Sequence, residues 1–208
     1  VIRGHLARLT LFVAPLWLAA CATTPTLSPQ ALKQSWQAHR SSVARYQDWA
    51  LSARIAVSTE DDAWSGQLKW HQAPQSYEIF FTAPFGQGAV QLAGDRRGVE
   101  MRAADGQVFF APDAESLLYQ QLGWRLPLAG LRYWVVGLPV PQDAAAPAPE
   151  MALDEAGRLA SLKQAHWRIS YPGYRQVEGV ALPQKVFLEN TELSVRLVID
   201  RWQLKRDG

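Results

Sequence analysis

The chain reads as mainly β with some α: an antiparallel sheet curled toward a barrel or half-barrel, with a lid of helices over its mouth. Three observations predict this. Six short apolar runs with a period of two follow one another from Trp49 to Phe110, as the half-buried strands of a meander do. Two helix-like apolar segments then interrupt, and further strand-like runs complete the chain. So many antiparallel strands must curl to manage their edges. The stripes of the interrupting helices need burial, and the concave mouth offers it.

The first element is a leader. Arg3, His5 and Arg8 precede an apolar core of Leu9, Leu11, Phe12, Val13, Leu16, Trp17 and Leu18, and small Ala19 and Ala20 follow. That core is too short to span a bilayer comfortably, and the order of parts is that of a cleaved secretory signal over residues 1–20. Cys21 comes next, the only cysteine in 208 residues. Alone, it makes no internal disulfide and no cysteine-rich metal site. Leu18-Ala19-Ala20-Cys21 resembles the bacterial lipobox, which implies a thiol that receives diacylglyceryl and becomes the new N-terminus. An ordinary signal with an incidental cysteine, or an uncleaved anchor, is the alternative. In lipoproteins of many Gram-negative bacteria, Asp after the lipidated cysteine retains the chain at the inner membrane. Ala22 stands there, so the resemblance implies the outer membrane. Two or three acyl chains exceed the marginal hold of one, each buried methylene contributing roughly 0.8 kcal/mol.

Residues 21–27 form a short tether, and residues 28–208 read as one domain without an internal boundary. Ser28-Pro29 is a helix start, an oxygen to cap free N–H groups and then a proline where no N–H is missed. Leu32, Trp36, His39, Val43 and Tyr46 recur at steps of four and three, predicting an amphipathic helix of about twenty residues. The six strands follow, separated by "TEDD", "QAPQ", "APFGQG", "GDRRG" and "ADG". Asp113 caps a helix bearing Leu117, Leu118 and Leu122, and Gly123 ends it. A second short helix holds Leu128, Leu131, Arg132, Trp134 and Val135. "PVPQDAAAPAPE", residues 139–150, reads as an exposed loop. Strands resume with "GRLASLKQ", "HWRISYPGY", "KVFLEN" and "LSVRLVIDRWQL".

Charge and motif content exclude several functions. Taking Arg3 and Arg8 from the 21 basic residues leaves 19 against 19 acidic ones. A neutral body without a basic cluster argues against nucleic acid and against electrostatic docking on anionic lipid. His39, His71 and His166 are not at metal-ligand spacing. No G-x-S-x-G elbow is present, and Gly86 and Gly88 lack the rest of a nucleotide fingerprint. No enzyme, metal or cofactor is expected. Eight of the nine tryptophans follow the leader, and filling of a core accounts for most of them.

Two readings stay open on pattern alone. The cup is either solid or hollow, since periodicity does not distinguish a core from a cavity. Phe85 sits at the tip of the turn in "FFTAPFGQGAVQL", where Gly, Pro, Asn and Asp are usual. Its ring either folds back on the rim or projects to meet a membrane interface.

The chain resembles the outer-membrane lipoprotein receptor family, LolB, across nearly all of the body. The resemblance lies in the lipobox, "YEIFFTAPFGQGAVQL", "LRYWVVGLPVP", "LDEAGRLASLKQAHWRISYPGY", "GVALPQKVFLEN" and the closing "VRLVIDRWQL". Arg132-x-Trp134-x-x-Gly137-x-Pro139 and the surroundings of Asp200 and Trp202 are its most specific parts. It implies an open, curved antiparallel half-barrel covered by helices around an apolar cavity for acyl chains. It implies no cofactor and a monomer, lipid-anchored at the periplasmic face of the outer membrane. That receptor takes lipoproteins from the soluble carrier LolA and inserts them into the inner leaflet. Phe85 takes the place of the family's apolar loop residue, usually leucine. The inward positions expected to line the cavity are Ile55, Val57, Leu68, Ile79, Phe81, Leu92, Leu118, Leu131, Trp134, Ile169 and Leu197, each equally suited to an ordinary core. A lipoprotein carrying glycolipid or quinone in a similar cup is the rival reading.

Overall fold

Local chemistry sets the entry into the body. Ser28 Oγ accepts a 3.3 Å hydrogen bond from the Ala31 N–H, and Pro29 opens helix α1, Pro29–Ala44. The computed structural model describes residues 28–83, 88–141 and 147–205. The leader, Cys21 and Phe85 lie outside the described residues. The helix is shorter than the stripe predicts. Tyr46 belongs to a turn, its N–H bonded to Val43 O, because strand pairing takes over at Asp48 opposite Lys205.

Six strands follow in meander order: β1 Asp48–Ser58, β2 Ala63–Gln72, β3 Tyr77–Thr82, β4 Ala89–Asp95, β5 Gly98–Arg102 and β6 Val108–Ala111. Helix α2, Ala114–Leu122, has the expected ends: Asp113 accepts from the Ser116 N–H, and Gly123 is left-handed at φ 73°. Helix α3, Leu128–Trp134, has no side-chain cap at its start. Five strands complete the chain: β7 Glu150–Leu153, β8 Leu159–Gln164, β9 Trp167–Val177, β10 Val180–Glu189 and β11 Ser194–Lys205. All eleven belong to one antiparallel sheet, ordered β6-β5-β4-β3-β2-β1-β11-β10-β9-β8-β7. The sheet is open, with β6 and β7 as its edges.

Sequence pattern misses two features here. Strand β7 overlaps the expected loop of residues 139–150 only at Glu150, and its other residues carry no strand signal, because most of "EMAL" faces solvent and shows no alternation. Strand β10 begins at Val180, ahead of "KVFLEN", and runs through Pro183.

Filling of the sheet is unequal. On β8 to β11, Leu159, Leu162, Ile169, Val186, Val195 and Ile199 are fully buried. Helix α1 covers this half with Trp36 and Val43, and Val135, Val136 and Leu138 beyond α3 join the same core. Approach is close: a Cβ on Gly157 would stand 2.5 Å from Ser35 Cβ and 2.9 Å from Trp36 N. Only glycine lets α1 lie down on the β7–β8 turn.

A buried polar pin holds the lid to this filled half. The Trp134 indole N–H and the Val140 N–H both donate to Gln164 Oε1, at 3.0 and 2.8 Å, and Gln164 Nε2 donates to Val140 O at 2.9 Å. Tyr171 Oη donates to Trp134 O at 3.0 Å. Each buried group left unpaired costs about 1–3 kcal/mol. Gln164→Leu is therefore expected to lower stability by about 2–4 kcal/mol in urea unfolding, whereas removal of the exposed Lys163–Glu150 pair changes it little.

His39 on α1 adds a pH dependence. Burial first, and the Arg158 guanidinium second, hold its pKa below the ordinary 6.5, with Asp154 opposing. Its Nε2 is buried without a partner among the described residues, and Tyr174 stands edge-on at 6.1 Å. A base depressed in the fold is protonated more readily once unfolded. Its contribution is thus complete above pH 6.5 and is lost as pH falls below that value. The melting temperature should fall as pH drops below 6.5, and His39→Leu should flatten the profile.

Candidate functional site: an apolar cavity under the helical lid

The other half of the sheet is hollow. Strands β1 to β4 and one residue of β11 face α2, α3 and the segment between them across a cavity of about 540 Å³. A methylene has about the bulk of a water molecule, whose share of liquid volume is roughly 30 Å³. The space therefore corresponds to about eighteen methylenes, one acyl chain.

Nine of the eleven positions expected from the sequence meet here. Ile55 and Val57 come from β1, Leu68 from β2, Ile79 and Phe81 from β3, and Leu92 from β4. Leu197 comes from β11, Leu118 from α2 and Leu131 from α3. Cross-strand register accounts for the sheet side, since Leu68 faces Phe81 and Ile79 faces Leu92. Trp134 and Ile169 are absent from this wall. Both are buried in the filled half, Trp134 turned toward Trp167 and Gln164. Alternation shows which side of a strand is inward; it does not show which inward positions a helix covers.

Several lining residues were missed. Trp64, Trp70, Val90, Leu122, Trp124, Leu126 and Leu128 contribute, as do small Ala63, Ala83, Ala89 and Ala104. The alternation of β2 and the stripe of α2 were available signals; Trp124 and Leu126, in an irregular segment, had none. Gly66 has a local role. A Cβ there would stand 2.9 Å from the Phe81 ring and 2.4 Å from Thr82 O, so glycine lets that ring lie across β2 and form wall.

The chemistry of the wall is uniform. Among the described residues that line it, none is charged and Ser65 is the only hydroxyl. At the inner end Trp70 is buried with its indole N–H unpaired among the described residues. Trp70 is backed by Trp49 at 5.1 Å, and Trp49 by Trp202 at 5.6 Å. Beyond it the Tyr77 phenol is pushed up to about 12 by burial and by the Asp113 carboxylate. Among the described residues no group of three or more His, Cys, Asp or Glu is placed to hold a metal ion. Such a wall binds hydrocarbon by area, without directional bonds. No helix among the described residues is long and apolar enough to cross a membrane.

The family model of the outer membrane lipoprotein LolB matches residues 47–202. An outer-membrane lipoprotein LolB of Nitrosococcus oceani is 43% identical over 188 residues, covering 90% of this chain and 92% of that protein. Another, from Pseudomonas paraeruginosa, is 35% identical over 207 residues, covering 97% and 99%. Among solved structures, a LolA superfamily protein of Nitrosomonas europaea aligns with a TM-score of 0.51 at 9% identity, covering 88% of this chain and 96% of that one. A DUF1329 family protein of Desulfovibrio piger also reaches 0.51, at 8% identity, covering 85% and 92%. At such identities the structural likeness concerns the fold alone. The match to the family model and to these relatives runs through the strands and helices that build the cavity, and the chain belongs to the LolB family of outer-membrane lipoproteins.

Proposed function

We propose that this protein is the lipoprotein receptor of the outer membrane, taking the acyl chains of arriving lipoproteins into the cavity and passing them to the bilayer. One observation carries the reading: an acyl-chain-sized cavity with an uncharged lining, in a chain of the LolB family. Cys21 anchors the body by its acyl groups at the periplasmic face. The donor is the soluble carrier LolA, and delivery is into the inner leaflet. Residues 1–20 are the signal, cleaved once the Cys21 thiol carries its diacylglyceryl group.

Physical chemistry supports the cycle. A triacylated cargo holds on the order of forty methylenes, so exposing its tails costs tens of kcal/mol gross at roughly 0.8 kcal/mol each. An apolar shelter is needed at every stage. The described cavity has room for about one chain, fewer than a triacylated guest carries. Handover is feasible because nothing directional has to break. Direction comes from affinity, each step of about 1.4 kcal/mol giving a tenfold bias.

The direct test is incubation of the protein with a LolA–lipoprotein complex, following which partner holds the cargo. Transfer to this chain is expected; cargo that stays with LolA refutes the reading. Narrowing the cavity with Leu118→Trp should reduce uptake of a hydrophobic probe dye several-fold while costing about 1–3 kcal/mol of stability. Phe85→Glu should leave uptake from LolA intact and slow incorporation into vesicles by about tenfold, because a carboxylate at the loop tip is costly in an apolar interface. Incorporation at the unmodified rate would show that the loop has no part in delivery.

A further inference from the structure

Six tryptophans of the body are buried, and two are not. Trp64, at the start of β2, is 37% exposed. Trp124, between α2 and α3, is half-buried. Their ring centroids are 4.5 Å apart, and both line the cavity. Ala83 and Gly88 line it too, and the Ala83 N–H donates to Gly88 O at 3.0 Å. The indole pair and the base of the loop that carries Phe85 therefore share one mouth. Nearby, Tyr119 is 48% exposed and the Arg125 guanidinium stands over its ring at 4.1 Å. Large rings left wet at the opening of an apolar cavity mark a contact surface. Indole and phenol favour the boundary between hydrocarbon and water.

Charge indicates which boundary. Val57 pairs with Trp64 across β1 and β2, so the turn that follows, with exposed Glu60, Asp61 and Asp62, lies beside the indole. Ala104 lines the cavity, and exposed Asp105 adjoins it. Arg125 is engaged by the Tyr119 ring and by Glu192 at 3.9 Å. An anionic surface would be repelled by this rim, whereas a zwitterionic one would meet only the rings.

We propose that the rim built on Trp64 and Trp124 is a seat for a zwitterionic lipid surface, where the two indoles part among the headgroups and the cavity opens into hydrocarbon. The acidic β1–β2 turn holds the mouth off anionic bilayers. This rests on the cavity being an acyl-chain site, and it extends membrane contact beyond the Phe85 loop to described residues. The carrier protein, the other conceivable occupant, is separated by the test.

The test uses the full lipidated chain in vesicles of phosphatidylcholine, or of equal parts phosphatidylcholine and phosphatidylglycerol. With Cys21 acylated, a cysteine introduced at Gln121→Cys, in the last turn of α2, takes a spin label alone. Arg96→Cys, in the β4–β5 turn at the other end of the strands, is the control. The label at residue 121 should be immersed at headgroup depth in phosphatidylcholine and withdrawn in the anionic mixture. Added salt should bring it back, as should the triple change Glu60→Gln, Asp61→Asn and Asp62→Asn; the label at residue 96 should stay aqueous. Tyr119→Ser, at an exposed ring outside the cavity wall, should slow lipoprotein delivery to phosphatidylcholine vesicles several-fold with pickup from LolA unchanged. An aqueous label at 121 in both vesicle types, or equal immersion in both, overturns the proposal. So does slowed pickup with normal delivery, which would make the rim a protein-docking surface. If the unmodified chain picks up no lipoprotein, the receptor reading fails, while the label still reports whether the rim is seated.

Discussion

The pairing of β1 with β11 is the constraint on which the rest of the structure depends. It joins the first and last strands along their whole lengths, from Asp48 opposite Lys205 to Ser58 opposite Ser194. Without it there would be two meanders, each with an apolar face too small to close over anything. With it there is one eleven-stranded surface, and a register shift between Ser52 and Ala53 adds bend and twist as bulges do. Arg54 and Arg175 meet the bulged Asp200, one at its carboxylate and the other at its carbonyl.

From that surface comes an unequal division of labour. Helix α1 and the segment after α3 fill the half made of β8 to β11, giving the protein a solid core from which to be stable. The half made of β1 to β4 is left for a guest. An apolar void costs the lost dispersion contacts of its lining, so a chain that keeps one open needs stability from elsewhere. The filled half supplies it, and Gln164 ties α3 to that half rather than to the hollow one.

The same division explains why hydrocarbon can be taken and surrendered. Polar fixing of the lid lies on the filled side, where Gln164 and Tyr171 hold the backbone around Trp134. The hollow side offers area and almost no hydrogen bonds. Binding there scales with contact and is reversible in small steps, which suits the proposed passage of acyl chains from a carrier to a bilayer. Glycines at 66 and 157 serve the two sides in turn, one admitting a phenyl ring to the wall and the other admitting α1 to the core.

Period-two alternation determined the meander, because one face of each strand is wet and the other dry. Capping chemistry determined the starts of α1 and α2, because Ser28 and Asp113 satisfy N–H groups within a few residues of themselves. These are local effects, legible in sequence. Whether the cup is hollow was decided only by tertiary structure. Leu68 and Ile169 carry the same inward signal in their strands; one faces space and the other faces packed side chains, according to where the helices come to rest. Strand β7 likewise exists because β8 offers it a ladder, not because "EMAL" has a pattern of its own. An inward position is a property of a strand, but emptiness is a property of the distance between layers, and that distance is set by residues far apart in the chain.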